Sequence, residues 1–308
     1  MGKKASVEKE FKALGTDIYF QIVCAESLKD KAEKDSETLK NFYVVFEKRF
    51  SRFDRDSELN QFNDNLGKFL KPSTHFLSLA KEILYYYKLS EGLFDPRIIE
   101  VLERIGYEKD FKQNRFVASS GKSFPKISVS DLEKDLIIRG EEICFNQRMD
   151  FAGIAKGYIT DRAVEMLRQA GFENFLIDSG GDMFAFGKDQ KEETWKIDVE
   201  GIIEDRMLIS LKNEAVATSG IGKRKWESGE KKFHHLIDPK NPENFSFALQ
   251  SVTVVAETVT EADFWAKMLF LKGKEAGMKF SNENKVKSIF LDYRGNAVIS
   301  EGMKNNIY

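Results

Sequence analysis

The sequence predicts an α+β fold built on largely antiparallel sheet, and three observations carry that expectation. Short alternating stretches, such as 11–24 (FKALGTDIYFQIVC) and 286–299, join through glycine turns in the manner of hairpins. Stretches with helical spacing are interspersed among them without a regular strand–helix alternation. No G-x-G-x-x-G follows any strand, which argues against a doubly wound dinucleotide fold. With no fixed-period repeat and no low-complexity linker, residues 1–308 read as a single domain.

Residues 11–24 read as a strand around the Gly15-Thr16 turn. Residues 27–49 read as an amphipathic helix opened by Ser27, with Leu39, Phe42, Val45 and Phe46 on one face. A polar loop (FSRFDRDSELNQFND) leads into a short helix. Residues 75–91 form a helix with an aromatic patch at Tyr85, Tyr86 and Tyr87, stopped by GLFDP at 92–96. Residues 98–107 form another short helix. The stretch 107–130 is polar and mixed. Its SSGKS lacks the glycine that a phosphate-binding loop requires five residues before the second one, where Phe116 stands. Residues 136–149 predict a hairpin through Gly140. Strands are expected at 194–200, 207–211, 215–220, 233–239 and 251–257, a helix at 258–272, and a last hairpin around Arg294-Gly295-Asn296.

The composition sets bounds on partners. A formal net charge of −2 gives no reason to expect a nucleic acid or an anionic membrane. No run approaches the ~18 apolar residues of a membrane span. The N-terminus has positive charge but no apolar core behind it, so no signal peptide is read; a cytoplasmic protein is expected, or an extracytoplasmic one if a leader has been removed. Cys24 and Cys144 lie in apolar, strand-like contexts and read as buried free thiols.

The chain is organised around residues 150–182, DFAGIAKGYITDRAVEMLRQAGFENFLIDSGGD. Asp150, Gly153, Lys156 and Gly157 read as a carboxylate, a glycine turn and a cation ahead of a helix. That helix carries Ile159, Ala163, Met166, Leu167 and Ala170 on one stripe and ends at Gly171. A short strand at Phe175–Ile177 runs into a second glycine turn, Asp178-Ser179-Gly180-Gly181-Asp182. Glycine turns and a helix N-terminus together suit an anion, because backbone N–H groups and the helix dipole both favour negative charge.

Nine spaced pieces occur in an order shared with a known family: LGT at 14–16, SRFDRDSELNQFN at 51–63, GLFDP, DFAGIAKGYITD at 150–161, DSGGDMFAFG at 178–187, ATSG at 217–220, HHLIDP at 234–239, SVTVVA at 251–256 and EADFWAKMLFLKG at 261–273. On these the chain resembles the ApbE family, the FAD:protein FMN transferases, over nearly its whole length. The resemblance implies an ApbE, T-fold-like α+β architecture with helices packed on mostly antiparallel sheets and a flavin site between the halves. It also implies a reaction in which FAD is split at its pyrophosphate, FMN passes through a phosphoester to a Thr or Ser hydroxyl of an acceptor protein, and AMP leaves. Mg²⁺ is the expected metal. An FAD-binding protein, or an FAD pyrophosphatase with little transfer, is the alternative.

The family match assigns residues to roles. Asp150 and Lys156 match flavin-nucleotide contacts, and Leu93, Phe94 and Asp95 match a segment that touches FAD. Phe53 stands where many members carry a Tyr that stacks on the flavin, and Leu14 replaces a common Met. Thr218 and Ser219 are placed in a turn that holds phosphate or flavin edges, with Ile237 beside them among the cofactor contacts. His235 and Asp238 are the acid–base candidates by residue type. The metal would take Asp263, Thr260 and the Gly153 carbonyl, oxygen donors of the kind Mg²⁺ prefers. Lys267 stands where the family usually carries the Thr that completes that site. Four residues after Asp263 on one helix, it shares that residue's face and is expected to reach it.

Overall fold

The computed structural model describes residues 3–107, 127, 131–202, 206–222, 224–228 and 230–308. In chain order the elements are β1 (Lys4–Ala13), β2 (Thr16–Ala25), α1 (Lys29–Phe50), α2 (Glu58–Asn63), α3 (Thr74–Leu89), α4 (Ile99–Arg104), β3 (Leu136–Arg139), β4 (Glu142–Phe145), α5 (Ala152–Gln169), β5 (Phe175–Ser179), β6 (Met183–Phe186), β7 (Trp195–Asp198), β8 (Leu208–Leu211), β9 (Glu214–Gly220), β10 (Lys225–Ser228), β11 (Lys231–His234), β12 (Leu249–Ala256), α6 (Val259–Lys272), α7 (Lys274–Glu283), β13 (Lys287–Asp292) and β14 (Ala297–Ile299). The α+β expectation holds. The chain divides into two compact units: Met1–Glu47, Lys156–Ser219 and Ala248–Tyr308 form one, and Lys48–Ala155 with Gly220–Phe247 the other.

The first unit is an eight-stranded sheet, ordered β1-β2-β5-β6-β9-β12-β13-β14. Period-two alternation splits each strand between two faces. On one face Ile18, Phe20 and Ile22 of β2 stand opposite Ser179, Ile177 and Phe175 of β5. Tyr43 of α1 lies on this face, its ring 5.5 Å from that of Phe20. Burying each such side chain contributes roughly 1.5–3 kcal/mol. On the other face Val23, Ala185, Val216, Val255 and Ile289 pack with Trp195, Ile209 and Leu211 of the β7–β8 hairpin and with Met303 near the C-terminus. The sheet is thus covered on both sides, by helix on one and by hairpin on the other.

The second unit has an aromatic core. Phe62 and Phe76 stack at 4.6 Å and Phe50 stacks on Phe76 at 5.4 Å, with Phe145 and Phe151 closing the group. A second cluster joins Val101, Leu102 and Ile105 of α4 and its C-terminal turn to Trp226, Phe233 and Ile237. The Trp226 indole N–H donates to the Ile105 carbonyl at 2.8 Å.

Several expectations need correction. The chain before Gly15 is itself a ten-residue strand, so 4–25 is one hairpin. Val45 is half exposed, and Tyr43 takes the buried place on α1. β6, β10 and α7 were not foreseen. The stretch 233–239 is strand only to His234. Thr218 and Ser219 lie within β9, not in a turn. Cys144 is buried but Cys24 only half-buried; both are free thiols. The SSGKS of 119–123 lies outside the described residues.

The main correction concerns α5, which begins at Ala152. Gly153 and Gly157 are therefore helical, and the glycine turns of the central stretch are at Gly171, just past α5, and at Gly180–Gly181. Gly157 is needed for packing: a Cβ there would stand 2.7 Å from the Thr260 Cα, so α5 can cross the first turn of α6 only where no side chain intervenes.

Candidate active site

One end of the eight-stranded sheet gathers four of the sequence motifs. Leu14 and Gly15 form the two-residue turn between β1 and β2, with φ of 55° and 69°. Two positive φ values match the right-handed strand twist, yet they strain a leucine. The Gly180–Gly181 turn lies against it: a Cβ on Gly180, itself at φ 66°, would fall 2.1 Å from Thr16 Oγ1. The Gly181 N–H donates to Asp178 Oδ1 at 2.7 Å. Beneath this turn Ser179 Oγ lies 2.9 Å from the Tyr43 hydroxyl and 2.8 Å from Thr160 Oγ1. Thr160 also donates to the Lys156 carbonyl, so α1, α5 and β5 meet through three buried hydroxyls. Burial raises the Tyr43 phenol well above its ordinary value, and its hydroxyl stays protonated.

Beside the turn lies a cluster of four charges. Lys156 forms an ion pair with the buried Asp182 carboxylate. Lys267 Nζ stands 3.8 Å from Asp263 Oδ1, one helical turn away on α6. Burial pushes the Asp182 carboxyl up to about 6. The Lys156 charge opposes that rise, the Asp263 charge adds to it, and Lys267 also pulls it down. The two pairs therefore feel each other electrostatically.

The start of α6 is fixed by two caps. Thr258 Oγ accepts from the Glu261 N–H at 3.2 Å. Asp161, on α5, accepts from the Val259 N–H at 2.7 Å, the Thr260 N–H at 2.9 Å and the Thr260 hydroxyl at 2.5 Å. Burial raises the Asp161 carboxyl, and these bonds act against the rise.

This arrangement bears on the expected Mg²⁺. Of its expected oxygen donors, Asp263, Thr260 and the Gly153 carbonyl, the first unit holds Asp263 and Thr260. The Thr260 hydroxyl is directed at Asp161, and Asp263 already faces an ammonium group. Among the described residues no group of three or more His, Cys, Asp or Glu comes together. The donor set in this unit, with two lysines against two carboxylates, does not fit a divalent cation.

The second unit holds the other motif residues. Arg52 stacks over the rings of Phe53 at 4.3 Å and Tyr107 at 4.8 Å. Its Nε lies 3.1 Å from Asp150 Oδ2, and its Nη2 donates to the Tyr107 carbonyl at 2.6 Å. Phe53 is thus a ring fixed from behind by a guanidinium yet 41% exposed. Asp150 also accepts from the Ala152 N–H at 2.9 Å, capping α5. Its partner is Arg52. Gly153 lies in the first turn of α5. Asp95 is buried against Arg97, which also pairs with Asp135. Phe94 is buried and Leu93 half-buried.

The HHLIDP motif has an internal division of labour. His234 is buried between Phe245 and Phe247, with Nε2 3.1 Å from the Ser246 carbonyl. Burial lowers its imidazole from 6.5 to about 4, so it is neutral and structural. His235 is half-buried, its Nδ1 3.4 Å from the Arg224 carbonyl. Asp238 accepts from the Lys240 N–H at 2.9 Å and from the Asn241 amide at 3.3 Å, holding its own turn. The Ile237 side chain belongs to the apolar cluster around Trp226. In the first unit Thr218 is exposed, with Oγ1 2.8 Å from Thr253 Oγ1, and Ser219 is buried.

Sequence reading missed Asp182, Asp161 and Arg52 as site residues. Asp182 closes the glycine turn and Arg52 precedes the motif aromatic, so both positions were signalled. Nothing local marks Asp161, whose partners lie almost a hundred residues on.

The comparisons bear on the family and the fold. A profile of the ApbE family matches residues 14–290. The chain is 25% identical over 285 residues to the FAD:protein FMN transferase of Haemophilus influenzae, covering 89% of this chain and 82% of that protein. It is 26% identical over 248 residues to the protein of the same name from Vibrio cholerae, covering 77% and 73%. The crystal structure of the apo flavinyl transferase ApbE of Pseudomonas stutzeri superposes with a TM-score of 0.82 at 21% identity, over 98% of this chain and 97% of that one. The ApbE protein of Thermotoga maritima gives the same score at 24% identity, over 98% and 99%. With the motifs in order, the strands and helices in place and a match spanning nearly its full length, the chain belongs to the ApbE family.

Proposed function

We propose that this chain is an FAD:protein FMN transferase. The observation that carries the reading is the charge cluster at the glycine-turn end of the sheet. Lys156 is paired with Asp182, and Lys267 lies 3.8 Å from Asp263. Fixed cations in a largely buried setting are what charge on phosphoryl oxygens requires during transfer. In the reaction an acceptor Thr or Ser oxygen bonds to the FMN phosphorus, the bridging P–O bond breaks, and AMP leaves with its phosphate. The hydroxyl proton must pass to a base, a role we assign to His235, with Asp238 shaping its turn. Phe53, exposed and braced by Arg52, supplies a ring on which an isoalloxazine would stack. The residues fit FAD better than they fit Mg²⁺.

The test is incubation with FAD and an acceptor domain carrying a flavinylation motif, followed by intact-mass analysis. An FMN adduct on the acceptor Thr or Ser is expected, with stoichiometric AMP. Free FMN plus AMP would replace the transferase reading by FAD hydrolysis, and unchanged FAD would leave a flavin-binding protein.

A further inference from the structure

The FAD reading assigns a pyrophosphate to the charge cluster, and the cluster itself says how that charge is met. Lys267 does not extend to solvent. Its side chain is 16% exposed and its Nζ is 3.8 Å from Asp263. The neighbouring Asp182 feels both of these charges as well as that of its own partner Lys156. Two carboxylates and two ammonium groups make a neutral set. A divalent cation brought to Asp263 would add two positive charges beside an ammonium in a setting with little water to screen them, so Lys267 would have to leave or lose its proton. Take Lys267 away and the balance changes sign: two carboxylates would share one ammonium, and a cation would be favoured there.

We propose, resting on the FAD reading above, that Lys267 takes the place of the divalent cation in this chain, so that the nucleotide pyrophosphate is bound without a metal. The Lys267 charge, held 3.8 Å from Asp263, would face the phosphoryl oxygens in place of the cation. The lysine is tethered, so its charge does not depend on metal concentration. The position is also set independently of any ligand, because Asp161 and Thr258 fix the first turn of the helix that carries it.

Two measurements test this without relying on turnover. The first is FAD affinity, by flavin fluorescence, in excess EDTA and in millimolar Mg²⁺. Wild type should give dissociation constants that agree within about twofold, whereas Lys267→Thr should bind at least about tenfold more tightly with Mg²⁺ than with EDTA. Lys267→Met, which keeps the apolar stem and removes only the charge, should show the same gain of metal dependence, and its thermal melt verifies that the fold survives. The second is titration with Mn²⁺ alone, read by the EPR signal of the free ion. The signal should be undiminished by wild type and attenuated by Lys267→Thr. A wild type that needs Mg²⁺ to bind FAD, or that binds Mn²⁺, overturns the proposal. Absence of FAD binding in both buffers would instead overturn the FAD reading, and the Mn²⁺ titration would still decide whether the lysine excludes the cation.

Discussion

A single missing methyl group sets the spacing of the candidate site. Gly157 sits inside α5, where alanine would be the better helix former by about 1 kcal/mol. Its Cβ, however, would meet the Thr260 Cα at 2.7 Å and N at 2.9 Å, both backbone atoms that cannot swing aside. Displacing α6 outweighs the propensity gain. Gly157→Ala should therefore destabilise the protein by roughly 1–3 kcal/mol in urea unfolding, and weaken FAD binding because Asp263 and Lys267 move with α6; equal or greater stability would show that the helices can separate at no cost. Phe53 poses the opposite case, a large ring left outside. Phe53→Ala should leave the unfolding midpoint almost unchanged and reduce the quenching of bound flavin fluorescence, while unaltered quenching would place the stacking ring elsewhere. The sequence pointed to both residues but misread one. Gly153 and Gly157 looked like a turn because glycine usually interrupts helices, and the contact that demands glycine comes from a segment a hundred residues away.

Among elements, α6 matters most, since it presents Asp263 and Lys267 together. Its N-terminus depends on Asp161, whose carboxylate receives three donors. Asparagine keeps the shape but offers one acceptor oxygen, and turns an amide N–H₂ toward N–H groups. Asp161→Asn should cost about 1–3 kcal/mol, with a parallel loss of FAD affinity measured by fluorescence titration; a variant as stable as wild type would mean that Thr258 alone holds the helix start. α6 itself was expected at 258–272 and runs from Val259 to Lys272. The elements that escaped were those with weak local signals. β1 has three consecutive charges, Glu8, Lys9 and Glu10, at its centre, β6 is four residues soon after a glycine turn, and α7 follows α6 after one glycine. Residues 233–239 read as a strand, yet the strand ends at His234, Ile237 is drawn into a side cluster with Trp226, and Asp238 closes a turn.

For the whole molecule, two buried groups give stability opposite responses to pH. The Asp182 carboxyl is raised from 3.8 to about 6. Between those values the folded chain keeps a proton that the unfolded chain has shed, so stability falls as pH rises. The His234 imidazole is lowered from 6.5 to about 4. Across that interval the unfolded chain takes up a proton that the folded chain refuses, so stability rises with pH. Each effect is on the order of 2–3 kcal/mol at its limit, and they oppose one another. Urea midpoints of wild type should therefore change little between about pH 4 and 6. Asp182→Asn should gain stability with rising pH across this window, and His234→Gln, which retains a donor toward Ser246, should lose it. Parallel slopes in the two variants would remove one or both groups from the account.

The strands of the large sheet lie side by side in the order in which they occur along the chain, from β1 at one edge to β14 at the other. A ribosome releases them in that same order. Each strand after β1 can therefore join an edge that has already been synthesised. The segments Lys48–Ala155 and Gly220–Phe247 leave this series between α1 and α5 and between β9 and β12, and the series resumes after each. The charge cluster is completed last, because Lys156 and Asp182 emerge well before Asp263 and Lys267. Until α6 is made, the Asp182 carboxylate has one ammonium for company, and the nascent sheet carries the glycine turn without the second ion pair beside it.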